Sequence, residues 1–226
     1  MSKLDDEIKQ NAIAQLQWDN RIKAEDIQVG VLDRVVILEG TVPTYWAKMA
    51  AEEDCELVSG VQRVDNLLDV RWSLDKQPRE ADVSLKVKQV LEANPNVDAD
   101  RITVSSTREV VSLKGSVDSL WRKQLIEHVA SDVAGVRRVD NQLTIVPSGV
   151  VEDDVVSSQI RDAIGRNMMV EADSIQVHVV GGVATLSGTV KSRAAQLAAH
   201  DIAIHTTGVI DVKDDLVVGV RVESFQ

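Results

Sequence analysis

The chain has 226 residues, 44% hydrophobic and 27% charged, with a formal net charge of −11. Such a balance describes a soluble globular chain whose apolar runs are too short to cross a bilayer as a helix, and the negative charge repels polyanions, which argues against a nucleic-acid binder. Cys55 is the only cysteine, so no intramolecular disulfide can form. The first ten residues, MSKLDDEIKQ, carry acids where a secretory signal needs a basic stretch and an apolar core, and the sequence therefore predicts a cytoplasmic protein.

Length alone allows one domain or two, but LEGTV at 38–42, LKGSV at 113–117 and LSGTV at 186–190 recur at intervals of 75 and 73 residues. Aligned on Gly40, Gly115 and Gly188, the three segments match without a gap, and a second glycine follows 20 residues later each time at Gly60, Gly135 and Gly208. The chain is thus predicted to hold three modules, at 1–75, 76–149 and 150–226.

The first element of each is an amphipathic helix, marked by Ile8, Ala12 and Leu16, by Val83, Val87, Val90 and Leu91, and by Val156, Ile160 and Ile164. Acids precede or open it (Asp5 and Asp6, Glu80 and Asp82, Asp153 and Asp154), where they favour the positive end of the helix dipole. Alternation follows at Ile27, Val29 and Val31, at Ile102 and Val104, and at Ile175, Val177 and Val179. It predicts a β-hairpin with its clearest turn at Gly181-Gly182 and a weaker one at Asp33-Arg34. Gly40, Gly115 and Gly188 are predicted where the second strand leaves the sheet, a place demanding unusual backbone angles or close approach. Thr44, Ser119 and Ser192 then cap a second helix, and Gly60, Gly135 and Gly208 stop it as C-caps. A last strand carries Val64, Leu68 and Val70, then Val139, Leu143 and Ile145, then Val212, Leu216 and Val218. The fold class is α+β, three tandem αββαβ modules, each a small three-stranded sheet with two helices on one face. Short linkers with Pro78 and Pro147 bring the modules close together, with Trp72 placed to fill the first junction.

This order, the L-x-G-x-V strand end and the patterns GVQRVDNLL at 60–68 and GVRRVDNQL at 135–143 resemble the BON family, named for bacterial OsmY and nodulation proteins. In the third copy, GVIDVKDDL, Asp214 replaces the asparagine, and its capping hydrogen bond is expected to run differently. The resemblance implies an envelope or osmotic-stress protein whose modules bind phospholipid surfaces or other ligands without catalysing a reaction.

No nucleophile elbow, P-loop or metal-binding cysteine pair is present, so neither catalytic residues nor a metal or cofactor site are assigned. The four histidines fall at positions unmatched in the repeat and read as solvated. EEDCE at 52–56 and Asp214-Asp215 concentrate oxygen ligands without EF-hand spacing and read as solvated faces. Cys55 aligns with Ala130 and Ala203 and reads as a small core residue.

Charge divides unevenly. Residues 1–76 carry −6, residues 77–149 carry 0 and residues 150–226 carry −5. The middle module therefore offers the candidate contact for an anionic phospholipid or an acidic protein partner, through Trp121, Arg122, Lys123, Arg137 and Arg138. The alternative function is a cytosolic small-ligand or cation sensor, holding a monovalent or divalent cation of potassium type through acidic and backbone oxygens.

Overall fold

The computed structural model describes residues 2–71, 80–149, 151–171 and 174–219; Trp72 and Pro78 lie outside them. Helix α1 (Lys3–Trp18) opens on a capping box: the Ser2 hydroxyl accepts from the Asp5 N–H at 3.1 Å and the Asp5 carboxylate accepts from the Ser2 N–H at 3.3 Å. Its stripe of Ile8, Ala12 and Leu16 is buried. Helix α3 (Glu80–Ala93) buries Val83, Val87 and Leu91, and α5 (Asp153–Arg166) buries Val156, Ile160 and Ile164 in the same way.

A hairpin follows each helix: β1 (Ile27–Leu32) with β2 (Val35–Val42), β5 (Ile102–Thr107) with β6 (Val110–Val117), and β8 (Ile175–Val180) with β9 (Val183–Val190), all antiparallel. All three turns place both central residues at φ between 49° and 79°, although only the third uses glycine. Asp33, Arg34, Arg108 and Glu109 each hold this conformation at a cost of about 1 kcal/mol. In module 1 the Asp5 carboxylate accepts from the Arg34 N–H at 3.0 Å, and the Arg34 side chain donates to the Gly60 carbonyl at 2.7 Å. The matching Asp153 accepts from the N–H groups of Gly181 and Gly182 at 2.7 and 3.0 Å. These acids therefore do more than favour a dipole: they tie the helix start to the hairpin turn, and the Arg34 N–H holds the Asp5 carboxyl below the usual range.

Gly40, Gly115 and Gly188 stand inside β2, β6 and β9, opposite Ile27, Ile102 and Ile175. Their φ values are 125°, 137° and 126°, and a Cβ there would lie 2.1, 2.0 and 2.1 Å from the carbonyl oxygens of Asp26, Arg101 and Ser174. Close backbone approach within the hairpin, two residues before the strand ends, is what demands glycine.

The second helices are α2 (Tyr45–Glu56), α4 (Leu120–Ser131) and α6 (Arg193–Ile204). Thr44 and Ser192 accept from the N–H groups of Ala47 and Ala195 at 3.0 and 3.2 Å, while Ser119 donates its hydroxyl to Asp118 at 3.0 Å. The expected glycine C-caps are displaced. Helix α2 ends at Glu56, four residues before Gly60, because a further tight turn (Val58 N–H to Cys55 carbonyl, 3.2 Å) intervenes. Gly60 has φ 94°, and a Cβ on it would come 3.1 Å from Ile8. It lets the chain pass under α1.

The last strand of module 1 is broken into β3 (Arg63–Asn66) and β4 (Asp69–Val70), both parallel to β2 in one register; β7 (Arg138–Ile145) neighbours β6, and β10 (Asp211–Val218) runs parallel to β9. Val36 and Leu38, Val111 and Leu113, and Ala184 and Leu186 point from the central strands into the cores beneath the helices. The chain forms two compact units, one from modules 1 and 2 and one from module 3 together with residues 118–121.

Candidate functional site

The structure divides the five basic-patch residues. Arg122 and Lys123 stand in the first turn of α4, beyond the end of β6. Arg137 and Arg138 lie at the start of β7, where the Arg137 N–H donates to the Glu109 carbonyl at 2.8 Å beside the hairpin turn. The eight residues of β6, about 26 Å of strand, separate the groups. Arg137 lies 3.1 Å from Glu109 and 3.7 Å from Asp69 of module 1, so it braces two modules. Arg71 and then Arg137 hold the Asp69 carboxyl below its ordinary range. Arg138 is exposed; Trp121 is half-buried, its ring 6.3 Å from that of His205 and nearly parallel.

A clasp between the second helix and last strand backs α4. Asn141 donates to the Lys123 carbonyl at 2.9 Å and to Glu127 at 3.0 Å, as Asn66 donates to the Lys48 carbonyl at 2.7 Å and Glu52 at 3.1 Å. In module 3 the pair is exchanged for Asp214 and His200. The backbone cap expected to change is kept, with the Leu216 N–H donating to Asp214 at 3.0 Å. What changes is the helix side, where His200 Nδ1 is buried 3.9 Å from Asp214 rather than solvated.

Within the unit formed by modules 1 and 2, Trp46 at the start of α2 meets His128 of α4 with ring centroids 3.5 Å apart and planes tilted by 54°. Arg21 lies over the Trp46 ring, 5.2 Å from its centroid. Clefts of about 560 and 420 Å³ share this Trp46–His128 pair; Glu53 and Glu127 line the first, and Lys86 and Asp132 the second. His128 is exposed, as the sequence reading has it, but one side of its ring is covered by Trp46. Burial lowers its pKa, against the pull of Glu53 and Asp132.

Behind Arg21 lies a group that sequence reasoning placed on the solvated EEDCE face. Asp54 is only 4% exposed. One of its oxygens is 4.0 Å from Arg21, the other has no hydrogen-bond partner, and the adjoining carboxylate is Asp19, also buried. Asp19 holds Arg21 in a fork at 2.5, 2.7 and 3.0 Å. Desolvation, reinforced by the Asp19 charge, pushes the Asp54 carboxyl up to about 6. Asp54 aligns with Val129 and Ile202, Asp19 with Asn94 and Asn167, and Arg21 with Asn96 and Met169. An acid at an apolar position of the repeat was the signal available in the sequence. Next to it, Cys55 is fully buried and its thiol is pushed up to about 12 by desolvation. Among the described residues no three His, Cys, Asp or Glu side chains are arranged to hold a metal ion, and no helix is long and apolar enough to cross a membrane.

Among curated proteins, the chain is 29% identical over 164 residues to osmotically-inducible protein Y of Escherichia coli (strain K12), covering 70% of this chain and 77% of that protein. Among solved structures, two of CdsD, a structural protein of the type III secretion system of Chlamydia trachomatis, align over 97% and 94% of this chain and 100% and 92% of theirs. Identities are 14% and 13% and both TM-scores are 0.26, too low to carry an argument. The match to an osmotically inducible protein overturns the cytoplasmic placement. The acidic opening residues misled because they are structural: Asp5 closes the α1 capping box and the hairpin turn, and says nothing about address. The BON domain model matches residues 4–71, 79–147 and 152–220, and the chain belongs to the BON domain family.

Proposed function

We infer that this chain acts in osmotic stress as a non-enzymatic binding protein whose central module contacts anionic phospholipid through the first turn of α4. Arg122 carries the reading. At its position modules 1 and 3 have Ala47 and Ala195, both buried, so a cation there is particular to module 2, where Arg122 is half-buried with its Nε out of water. A cation in the first turn of a helix also opposes the macrodipole, so the helix dipole does not account for it. Lys123 has a structural side as well, since Lys48 and Gln196 at its position donate to the carbonyls of Leu68 and Leu216 at 2.7 and 3.3 Å. The module that carries both residues is neutral between two acidic ones. Its local field is thus the least repelled by an anionic leaflet, because charges farther than about 8–10 Å are screened.

Co-sedimentation with phosphatidylglycerol vesicles at low salt tests this. Arg122→Ala, which installs the residue of the other modules, should weaken binding about fivefold, the equivalent of about 1 kcal/mol per basic residue near an anionic surface. Arg122→Glu should weaken it roughly thirtyfold, Arg193→Glu in module 3 should matter little, and added salt should weaken the parent. Absence of binding by the parent, or equal binding by Arg122→Glu, refutes the reading.

A further inference from the structure

Module 1 buries two carboxylates against one guanidinium, and neither of the other modules repeats the arrangement. Asp19 and Asp54 adjoin each other, Asp19 is saturated by the Arg21 fork, and one Asp54 oxygen faces no donor. With both acids ionised, two carboxylates that are almost wholly out of water carry one negative charge more than the partly exposed Arg21 compensates, a costly state that a single proton removes. We propose that Asp19 and Asp54 share one proton, and that its loss draws Arg21 toward Asp54 and away from the Trp46 ring at the junction of modules 1 and 2.

The geometry says where the proton goes. The Arg21 fork keeps Asp19 as the ionised partner, and Asp54, with its bare oxygen, is the one that takes the hydrogen and donates it to Asp19. Gln15 of α1 faces Asp54 and favours its charged form, but not enough to offset burial and the neighbouring Asp19. Glu53 faces Arg21 from α2. From α4, His128 faces Trp46 and Arg21, with Asp132 behind it. Asp54 binds its proton more tightly folded than unfolded, so its contribution to stability is full below the ordinary carboxylate range and is lost as pH rises through about 6. His128 works the other way: burial favours its neutral form, and charging it as pH falls removes stability. The two effects oppose, and the imidazole has to be removed to see the acid pair alone.

The test uses the full chain carrying His128→Gln. Carbon-13 detection of the aspartate carboxyls should show Asp54 titrating near pH 6 while Asp19 remains ionised, and the Trp46 indole resonance should move with the Asp54 midpoint. The urea midpoint of module 1 should fall between pH 5 and pH 7.5 in this background. It should stay flat when Asp54→Asn is added, because the amide mimics the protonated acid. Asp54→Val, matching Val129, serves as the second non-titrating variant should the asparagine misfold. An Asp54 carbon titrating in the ordinary range near pH 4, a Trp46 resonance unmoved between pH 5 and 7.5, or the same pH slope with and without Asp54 would overturn the proposal.

Discussion

Replacing Gly115 with alanine adds a single methyl group, and the structure says where that group goes. Its Cβ would sit 2.0 Å from the Arg101 carbonyl oxygen, on a residue with φ 137°. Restoring an ordinary carbon–oxygen contact of about 3.3 Å means moving that carbonyl by about 1.3 Å. Such a shift opens the first rung of the β5–β6 hairpin, where Ile102 faces Gly115. The backbone strain costs about 1–3 kcal/mol and a weakened ladder hydrogen bond about 1 kcal/mol more, so module 2 should lose about 2–4 kcal/mol. Valine, with its β-branch, should do at least as badly. Native-state amide exchange in the full chain reads the loss module by module, which a single global midpoint of a multi-module protein does not. Gly30→Ala is the control, since its Cβ meets nothing nearer than Ile37 at 3.7 Å; it should change stability by less than about 0.5 kcal/mol. Protection in module 2 of Gly115→Ala within about 0.5 kcal/mol of the parent would refute the close-approach reasoning.

Cys55 should be inert to maleimide in the folded chain and react only on unfolding. Cys55→Ala should cost no more than about 1 kcal/mol in urea unfolding, since Ala130 and Ala203 fill the same place. Asp5→Ala should lower the thermal midpoint of module 1 most at neutral pH. Because the folded carboxyl is held below the ordinary range, its stabilisation is present above that range and lost as pH falls through the lowered folded value, so the two melting curves should converge in acid. The double change Asp214→Asn with His200→Glu installs in module 3 the clasp of modules 1 and 2. Amide exchange around α6 should show a favourable coupling of at least about 0.5 kcal/mol relative to the two single changes.

How much of this was legible depended on the range of the interaction. The helices, hairpins and order of elements follow from periods of 3.6 and 2 and were written three times over, so the stripe Ile8, Ala12, Leu16 and the alternating Ile175, Val177 and Val179 could be placed from neighbours alone. The need for glycine at 40, 115 and 188 was visible for the same reason, although its cause, a carbonyl pressing in from the preceding turn, was not. The docking of α2 and α4, and with it the meeting of Trp46 and His128, was out of reach, because periodicity finds a helix face without naming what covers it. The same gap hid the Asp19, Arg21 and Asp54 cluster: 35 residues separate its acids, and only the rotation of α2 turns Asp54 inward while its neighbours Glu52 and Glu53 stay half-buried and exposed. The basic patch divided on this principle too. Arg122 with Lys123 and Arg137 with Arg138 are close in sequence, but α4 starts at one end of β6 and β7 at the other, so sequence proximity placed them together and the strand's length sets them apart. Local sequence determined each module because its elements answer to their own side chains; tertiary structure decided the charges, because a charge's energy is set by what is brought beside it and how much water is taken away.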